Sequence, residues 1–427
     1  MTFLQVVGDS FYNDHLPVRL RSVGLGNWLN LEHFMLGIPG TESQIRTMLT
    51  ARFGEVRAQQ FWNAYYRKNV SEKDLMRIAS LGFNSVRVPV NHHLFFDADE
   101  VGKSTAVREI DRILPFCRAA GLWVILDMHT SPGGQNPDWH SDNVSADCGF
   151  WKDESAQNQI VELWGDVAKY YREEECIAGF DLLNEPCYLD SAYDAVLVEF
   201  YAKVIASVRR YDKNHIVFLE GNTYARDFSM FQNNIDENLA YSFHFYPFLQ
   251  VGDVAVTANN AESILSEALN RDVSYRHLRE TLRKPLWCGE TGHLHAKKDY
   301  LFLFYTFVRM LETDGVSWSL WPYKDVGPMG LVTLPPDGNW VRTMAELSEN
   351  WNFFEFFKQD SFIAMGNEVD STAYYRRMAD FSTDGLTLFA ENLKKLSFEQ
   401  LIEFVDEFDH PVASGVTLSK MLLHLNE

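Results

Sequence analysis

Two glutamates each follow a short apolar run: Glu185 after Gly179-Phe180-Asp181-Leu182-Leu183, and Glu290 after Leu286-Trp287-Cys288. A carboxylate at the end of a buried strand is costly unless it has partners or a task. Two of them facing each other across a hollow suit the cleavage of a glycosidic bond. One protonates the leaving oxygen and the other stabilises or attacks the anomeric carbon. For either glutamate alone, a structural ion pair is an equal reading. The pair is flanked by further polar types where apolar runs end: Arg87 in Arg87-Val88-Pro89, Asn184 beside Glu185, His129 in Asp127-Met128-His129, His244 and Tyr246 in His244-Phe245-Tyr246, and Trp321 after Ser319-Leu320.

The elements that must position these residues follow from the hydrophobic pattern. Strands are predicted at Leu20–Gly24, Ser85–Pro89, Trp123–Asp127, Gly179–Leu183, Ile216–Leu219, Tyr241–Phe245, Leu286–Cys288 and Val316–Leu320. Helical periodicity lies between most of them, at Ser71–Leu81, Val107–Ala120, Ala156–Tyr171, Ala192–Arg210, Ala261–Leu282 and Tyr300–Glu312. Strands alternating with helices at this count indicate an α/β fold, a closed (β/α)₈ barrel, whose active face is at the C-terminal ends of the strands. The fifth unit is weak, since Asn222–Met230 offers only a short helix. A doubly wound open sheet is the rival, disfavoured because no Gly-rich fingerprint follows an early strand. The barrel is assigned to residues 1–350. Residues 351–427 read as a helical C-terminal extension packed on it, patterned at Trp351–Phe357, Thr372–Ala379, Ser397–Phe408 and Thr417–Leu425. Packing or an oligomer contact is the simplest role for that tail.

Composition narrows the partners. The 427 residues carry 38 Lys+Arg against 59 Asp+Glu, a net charge of −21. That excludes the basic footprint that nucleic acid or an anionic membrane needs, and it suits a neutral ligand such as a sugar. Aromatics reach 14%, with 11 Trp, more than core packing asks for. No run approaches a membrane span. The start of the chain lacks a basic segment followed by an apolar core, so no signal peptide is visible. Five scattered cysteines without a CxxC read as free thiols, and the expected location is cytoplasmic, or secreted if a leader has been removed.

The motifs resemble glycoside hydrolase family 5, a clan of retaining enzymes with a glutamate after strands four and seven. The resemblance runs from about Arg19 to Asp325 and is closest to the exo-β-1,3-glucanase branch. It rests on Arg21-Ser22-Val23-Gly24-Leu25-Gly26-Asn27-Trp28-Leu29 with Leu31-Glu32, on Leu81-Gly82-Phe83-Asn84-Ser85-Val86-Arg87-Val88-Pro89, on His129 followed by Ser131-Pro132-Gly133-Gly134-Gln135-Asn136, on Asn184-Glu185-Pro186, and on Trp318 and Trp321. The resemblance implies Glu185 as acid/base, with a pKa raised by burial or by Glu290, and Glu290 as an ionised nucleophile held so by Arg87. It implies that Asn184 bonds the sugar 2-hydroxyl and that His244 and Tyr246 orient the carboxylates. His129, Trp321 and Glu32 would hold the sugar that loses its anomeric bond. It further implies β-glucosidic substrates, retention of configuration and no cofactor or metal. The carboxyl separation would then be about 5–5.5 Å. The third loop departs from that branch after Asn136, at Pro137-Asp138-Trp139-His140-Ser141-Asp142, and Ala178 and Cys187 are unusual beside strand four. Loops set specificity on this fold, so reaction type is firmer than linkage.

Other readings stay open. An endo-acting β-glucanase or a glycolipid or steryl glucosidase would share the same carboxylates. A metal-dependent barrel hydrolase would draw on Asp127-Met128-His129 and His293-Leu294-His295, although no His-x-His follows the first strand and no HExxH occurs. A non-catalytic carbohydrate-binding barrel could dispense with one carboxylate. His92 and His93 follow strand two, and His140, Asp142 and Asn143 sit in a long loop where they would line a subsite. Oligomeric state is not legible.

Overall fold

A computed structural model describes residues 2–97, 103–188, 190–251, 255–295, 298–349, 351–352 and 371–413. The chain opens with three short antiparallel strands, β1 (Gln5–Val7), β2 (Ser10–Asn13) and β3 (Leu16–Val18). The barrel follows: β4 (Arg21–Gly24), β5 (Ser85–Val90), β6 (Trp123–Met128), β7 (Ile177–Asp181), β8 (Ile216–Glu220), β9 (Leu239–His244), β10 (Leu286–Thr291) and β11 (Ser317–Leu320). All neighbours pair in parallel, and β10 bonds both β9 and β11, so the sheet closes on itself. Every residue of β5 to β11 is buried. Strands covered by helices outside and side chains inside lose the in–out alternation, which is why their sequences read as continuous apolar runs.

β1 to β3 were not foreseen. Leu4 and Phe11 pack against Trp123, Ile216, Ala240 and Trp287, residues at the starts of barrel strands. The small sheet thus plugs the N-terminal floor of the barrel and leaves the opposite end for the site.

Helices return the chain between strands, within a few residues of the predicted spans: Glu72–Ser80, Thr105–Ala120, Glu154–Tyr171, Asp194–Arg209 and Lys298–Thr313. Local signals set their ends. Ser71 and Asp74 form a capping box, Asp153 accepts the N–H groups of Ser155 and Ala156, and Gly121 closes the second helix at φ 71°. The predicted Ala261–Leu282 helix instead stops at Asp272, because Ser274 turns left-handed at φ 48°. The weak fifth unit is only Asn222–Ala225, with Thr223 and Tyr224 also left-handed. Between β4 and β5 stand three helices absent from the prediction, the single turn His33–Leu36 and the longer Glu42–Phe53 and Glu55–Asn69.

The chain after the barrel is built into it. The predicted Thr372–Ala379 segment is part of a longer helix, Ser371–Asn392. Phe389, Leu393, Leu401, Val405 and Phe408 join the same core as the barrel helices. The Lys324 ammonium, buried, donates to the carbonyls of Asn69 and Phe408. The strand β12 (Lys324–Asp325) pairs with β13 (Val332–Thr333), which pairs with β14 (Val412–Ala413) from the tail. The predicted Thr417–Leu425 helix, and Trp351–Phe357 beyond Asn352, lie outside the described residues. Among the described residues no helix is long and apolar enough to cross a membrane. All five cysteines are free.

Candidate active site

Glu290 does not reach its place by simple strand geometry. The register of β10 slips between Cys288 and Glu290 relative to β9, so that Glu290 stands opposite His244. Such a bulge re-aims a side chain at the end of a strand. Gly289 permits it, since a Cβ there would lie 2.3 Å from the Ser242 hydroxyl. Glu290 then meets Arg87, whose Nη1 is 2.5 Å from Oε1, and the Tyr246 hydroxyl, which donates to Oε2 at 2.8 Å.

Arg87 projects from β5 with its guanidinium fully buried. Its Nε donates to Asp181 at 3.0 Å, and Nη2 donates to Asn184 at 2.9 Å and Glu220 at 3.2 Å, with Asp127 also at 3.2 Å. Burial alone would lower its pKa, but Asp127, Asp181, Glu290 and Glu220 together push it far upward. Burial outweighs Arg87 in the opposite direction for Asp127, whose pKa rises to about 8. The cluster thus keeps one fixed cation beside Glu290 while sharing protons among the carboxyls around it.

Glu185 lies beyond the end of β7, in a left-handed conformation at φ 47°. A non-glycine residue pays for that conformation and persists in it only when its neighbours over-determine it. Here Glu220 accepts its backbone N–H at 2.6 Å, and Asn136 donates to its carbonyl at 3.0 Å. Both carboxylate oxygens meet imidazoles: Oε1 is 2.7 Å from His244 Nδ1, and Oε2 is 3.0 Å from His140 Nε2. This corrects one expectation. Burial does act to raise the pKa of Glu185, but hydrogen bonds from His140 and His244 reverse it and hold the carboxyl well below its usual range. The same contacts outweigh burial at the imidazoles, raising the pKa of His140 to about 9 and that of His244 far upward.

The third group borders the same hollow. His129 Nδ1 is 2.6 Å from Asp127, and burial, with Arg87 nearby, lowers its pKa to about 3, so the ring is neutral. Its Nε2 lies 3.5 Å from Asn184 Nδ2 and 3.9 Å from Glu32. Burial raises the pKa of Glu32 to about 8. The His129 ring stacks parallel to Trp321, with centroids 5.6 Å apart. Trp321 in turn lies against the backbone of Gly24 and Gly26, where a Cβ would stand 2.5 and 2.7 Å from the indole. The Gly-Leu-Gly of the first strand and loop is therefore the seat of an aromatic ring 295 positions later in the chain (26 to 321).

The nine residues singled out in the sequence (Glu32, Arg87, His129, Asn184, Glu185, His244, Tyr246, Glu290 and Trp321) thus form one connected constellation. Sequence reasoning missed Asp181 and Glu220. The available signal was Arg87 itself, since a guanidinium inside a barrel demands carboxylates from neighbouring strands. Of the third-loop residues, His140 joins the site. Asp142 instead accepts from Ser43 and Asn91, and Asn143 donates to Asn136 and Asp147, which makes them braces of the loop. His92 and His93 bond Thr130 and approach Glu42.

Among the described residues, one group of metal-ligand types comes together: Glu185, His244 and Glu290, with atoms within 4.8 Å of one another. The sets Asp127/His129 and His293/His295 do not assemble into such a group. The oxygens of Glu185 and Glu290 already meet imidazole, guanidinium and phenol, an arrangement suited to two working carboxylates.

The model of the cellulase family, glycosyl hydrolase family 5, matches residues 36–327. The chain is 34% identical over 359 residues to a β-xylosidase of Phanerodontia chrysosporium, covering 79% of this chain and 74% of that protein. It is 27% identical over 206 residues to a probable glucan 1,3-β-glucosidase A of Neosartorya fischeri, covering 47% and 49%. An endoglucanase from the hyperthermophilic Thermotoga maritima superposes with a TM-score of 0.51 at 17% identity, covering 71% and 89%. A closed eight-stranded barrel, a family match over residues 36–327 and two opposed glutamates at its mouth agree: the chain belongs to glycosyl hydrolase family 5 and is a β-glycoside hydrolase.

Proposed function

We propose that the protein removes terminal β-glucosyl residues by double displacement, with Glu290 as nucleophile and Glu185 as acid/base. One observation carries the reading: carboxylate oxygens of Glu185 and Glu290 lie within 4.8 Å of each other. Retaining pairs stand about 5–5.5 Å apart, whereas inverting pairs need roughly 6.5–9.5 Å for an intervening water. In the first step Glu290 attacks the anomeric carbon while the glycosidic C–O bond breaks and Glu185 protonates the departing oxygen. In the second, Glu185 takes a proton from water, which displaces Glu290 from the sugar. Arg87 and Tyr246 keep donors on Glu290 throughout, and Asn184 is placed to bond the 2-hydroxyl, a contact that tightens as the oxocarbenium ion forms.

Action on chain ends is supported by the burial of the side chains around the two carboxylates. Glu32, His129, Asn184, Glu290 and Trp321 are all buried, as expected of a pocket that takes one sugar. Tyr374, Tyr375 and Met378 of the Ser371–Asn392 helix pack with Phe34, Trp139 and Tyr224 beside it. The division into a catalytic barrel over residues 1–350 and an extension over 351–427 belongs to the same proposal, with the extension as part of the pocket rim. A second reading, β-xyloside cleavage, is favoured by the β-xylosidase likeness. NMR of the first-formed anomer tests the mechanism: β product is expected, and α product would overturn it. Aryl β-glucoside and β-xyloside turnover, with laminari- and cello-oligosaccharide product sizes, separates the substrate readings. Abolition of turnover in Glu290→Ala and a severe loss in Glu185→Ala are expected.

A further inference from the structure

Both oxygens of Glu185 are capped by imidazoles, yet an acid must offer one of them to a leaving group. The two caps are not equivalent. His244 ends a barrel strand and has Nε2 3.2 Å from Glu220. His140 sits in the short turn Trp139–Ser141 of the third loop, so its cap is the one a substrate can displace. The same His140 nitrogen meets Asn136 Nδ2 at 2.9 Å. That amide is oriented: its Oδ1 accepts the Asp138 N–H at 3.0 Å, and its Nδ2 also donates to the Glu185 carbonyl. An N–H aimed at His140 Nε2 favours the state in which that nitrogen accepts, which puts the proton on Glu185 Oε2. The charges around His140 act the other way. Its own turn contributes Asp138, the loop after β4 contributes Glu32 and His33, the end of β6 contributes His129, and the loop after β7 contributes Glu185 itself. Tyr224 and Trp139 flank the ring without charge.

Resting on Glu185 as acid/base, we propose that His140 is a positioning residue for the acid step, sharing one proton with Glu185 across the Nε2···Oε2 contact and yielding the protonated oxygen when a leaving group enters. In that step the Oε2–H bond breaks and the proton goes to the glycosidic oxygen. The C–O bond pair stays with that oxygen, and a Glu290 lone pair forms the new bond to carbon. Glu185 is left as carboxylate beside a neutral His140, and the proton taken from water in the second step restores the pair. Asn136 biases where that proton rests, and the aromatic cluster with Tyr374 and Tyr375 holds the turn that carries His140.

The test uses the full chain, two aryl β-glucosides and three variants. The 2,4-dinitrophenyl glucoside leaves without a proton; the 4-methoxyphenyl glucoside needs one. His140→Ala is expected to lose about 10²-fold or more in kcat/KM on the poor leaving group, and no more than about threefold on the good one. The alkaline limb of its kcat/KM profile should move down by about one pH unit, because the last proton then leaves Glu185 alone instead of the pair. His140→Asn, which keeps a donor but cannot exchange a proton, should behave like the alanine variant and serves as the reading if that variant fails to fold. Equal losses on both substrates, no loss on either, or an unmoved alkaline limb would overturn the proposal. Glu185→Ala on the same substrates separates the two levels: if it shows no leaving-group dependence, the acid/base assignment itself fails. If it shows that dependence and His140→Ala does not, only the role of His140 fails.

Discussion

Arg87→Met removes a buried guanidinium and keeps much of its apolar length. Four carboxyls stay behind within hydrogen-bond or ion-pair distance: Asp127, Asp181, Glu220 and Glu290. Breaking a buried ion pair by deleting one partner costs about 3–5 kcal/mol. At about 2.1 cal/mol/K of unfolding entropy per residue, 427 residues give about 0.9 kcal/mol/K, so the melting temperature should fall by about 3–6 °C. The loss must also depend on pH. Burial already raises the Asp127 and Asp181 carboxyls and Arg87 opposes it; without the cation they titrate still further above their unfolded values, so the folded variant binds more protons and regains stability as pH falls. The gap to wild type is therefore largest near about pH 8 and narrows toward about pH 5. Scanning calorimetry at these two pH values checks both the size and the slope. Turnover of 2,4-dinitrophenyl β-glucoside, which bypasses acid catalysis, should fall by about 10²-fold or more because Glu290 loses its fixed partner. A melting shift below about 1 °C, or the same shift at both pH values, would refute the idea that this cation neutralises a shared carboxyl cluster.

Further expectations follow from single contacts. Tyr246→Phe deletes the 2.8 Å bond to Glu290; kcat should drop about 10- to 100-fold while the melting temperature stays within about 2 °C, and an unchanged kcat would show that the phenol is only packing. Gly24→Ala places a Cβ 2.5 Å from the Trp321 ring, so stability should fall by about 1–3 kcal/mol and KM for the glucoside should rise, with a shifted Trp fluorescence; normal kinetics would mean that the indole does not touch sugar. Glu312 accepts from Arg19, Arg21 and Trp318 across the β4–β11 seam, and although burial opposes them these bonds hold its pKa below the usual range. Its stabilisation is then present above the unfolded pKa of about 4.3 and is lost as pH falls through the lower folded value. Glu312→Gln should cost about 2 kcal/mol near neutrality, and the deficit should shrink as pH falls below the unfolded pKa of about 4.3; an equal deficit at neutral and acid pH would contradict this.

Much of the frame was legible because parallel strands sheathed by helices must be apolar along their whole length, and helices on a barrel must be apolar on one face. Those two periods place β4 to β11 and most of the return helices within a few residues. Polar types at the ends of the apolar runs then marked Glu185, Glu290, Arg87 and their neighbours before any coordinates. The floor strands β1 to β3 escaped, being three or four residues each, too short to carry a period. The break at Ser274 and the left-handed turn at Glu185 escaped because nothing in a serine or a glutamate announces a positive φ; their surroundings impose it.

What the linear order determines here is the inventory: which strands exist, which of them end in acid, base or ring, and that two glutamates can face one hollow. Tertiary structure alone decides the protonation and aim of those groups. The slip at Gly289 turns Glu290 toward Arg87, and residues as far apart as His140 and His244 close on the same carboxylate. The reason is electrostatic. A carboxyl's pKa depends on desolvation and on charges a few ångströms away, and such distances are set by which loops meet over the barrel, which no local stretch of residues encodes.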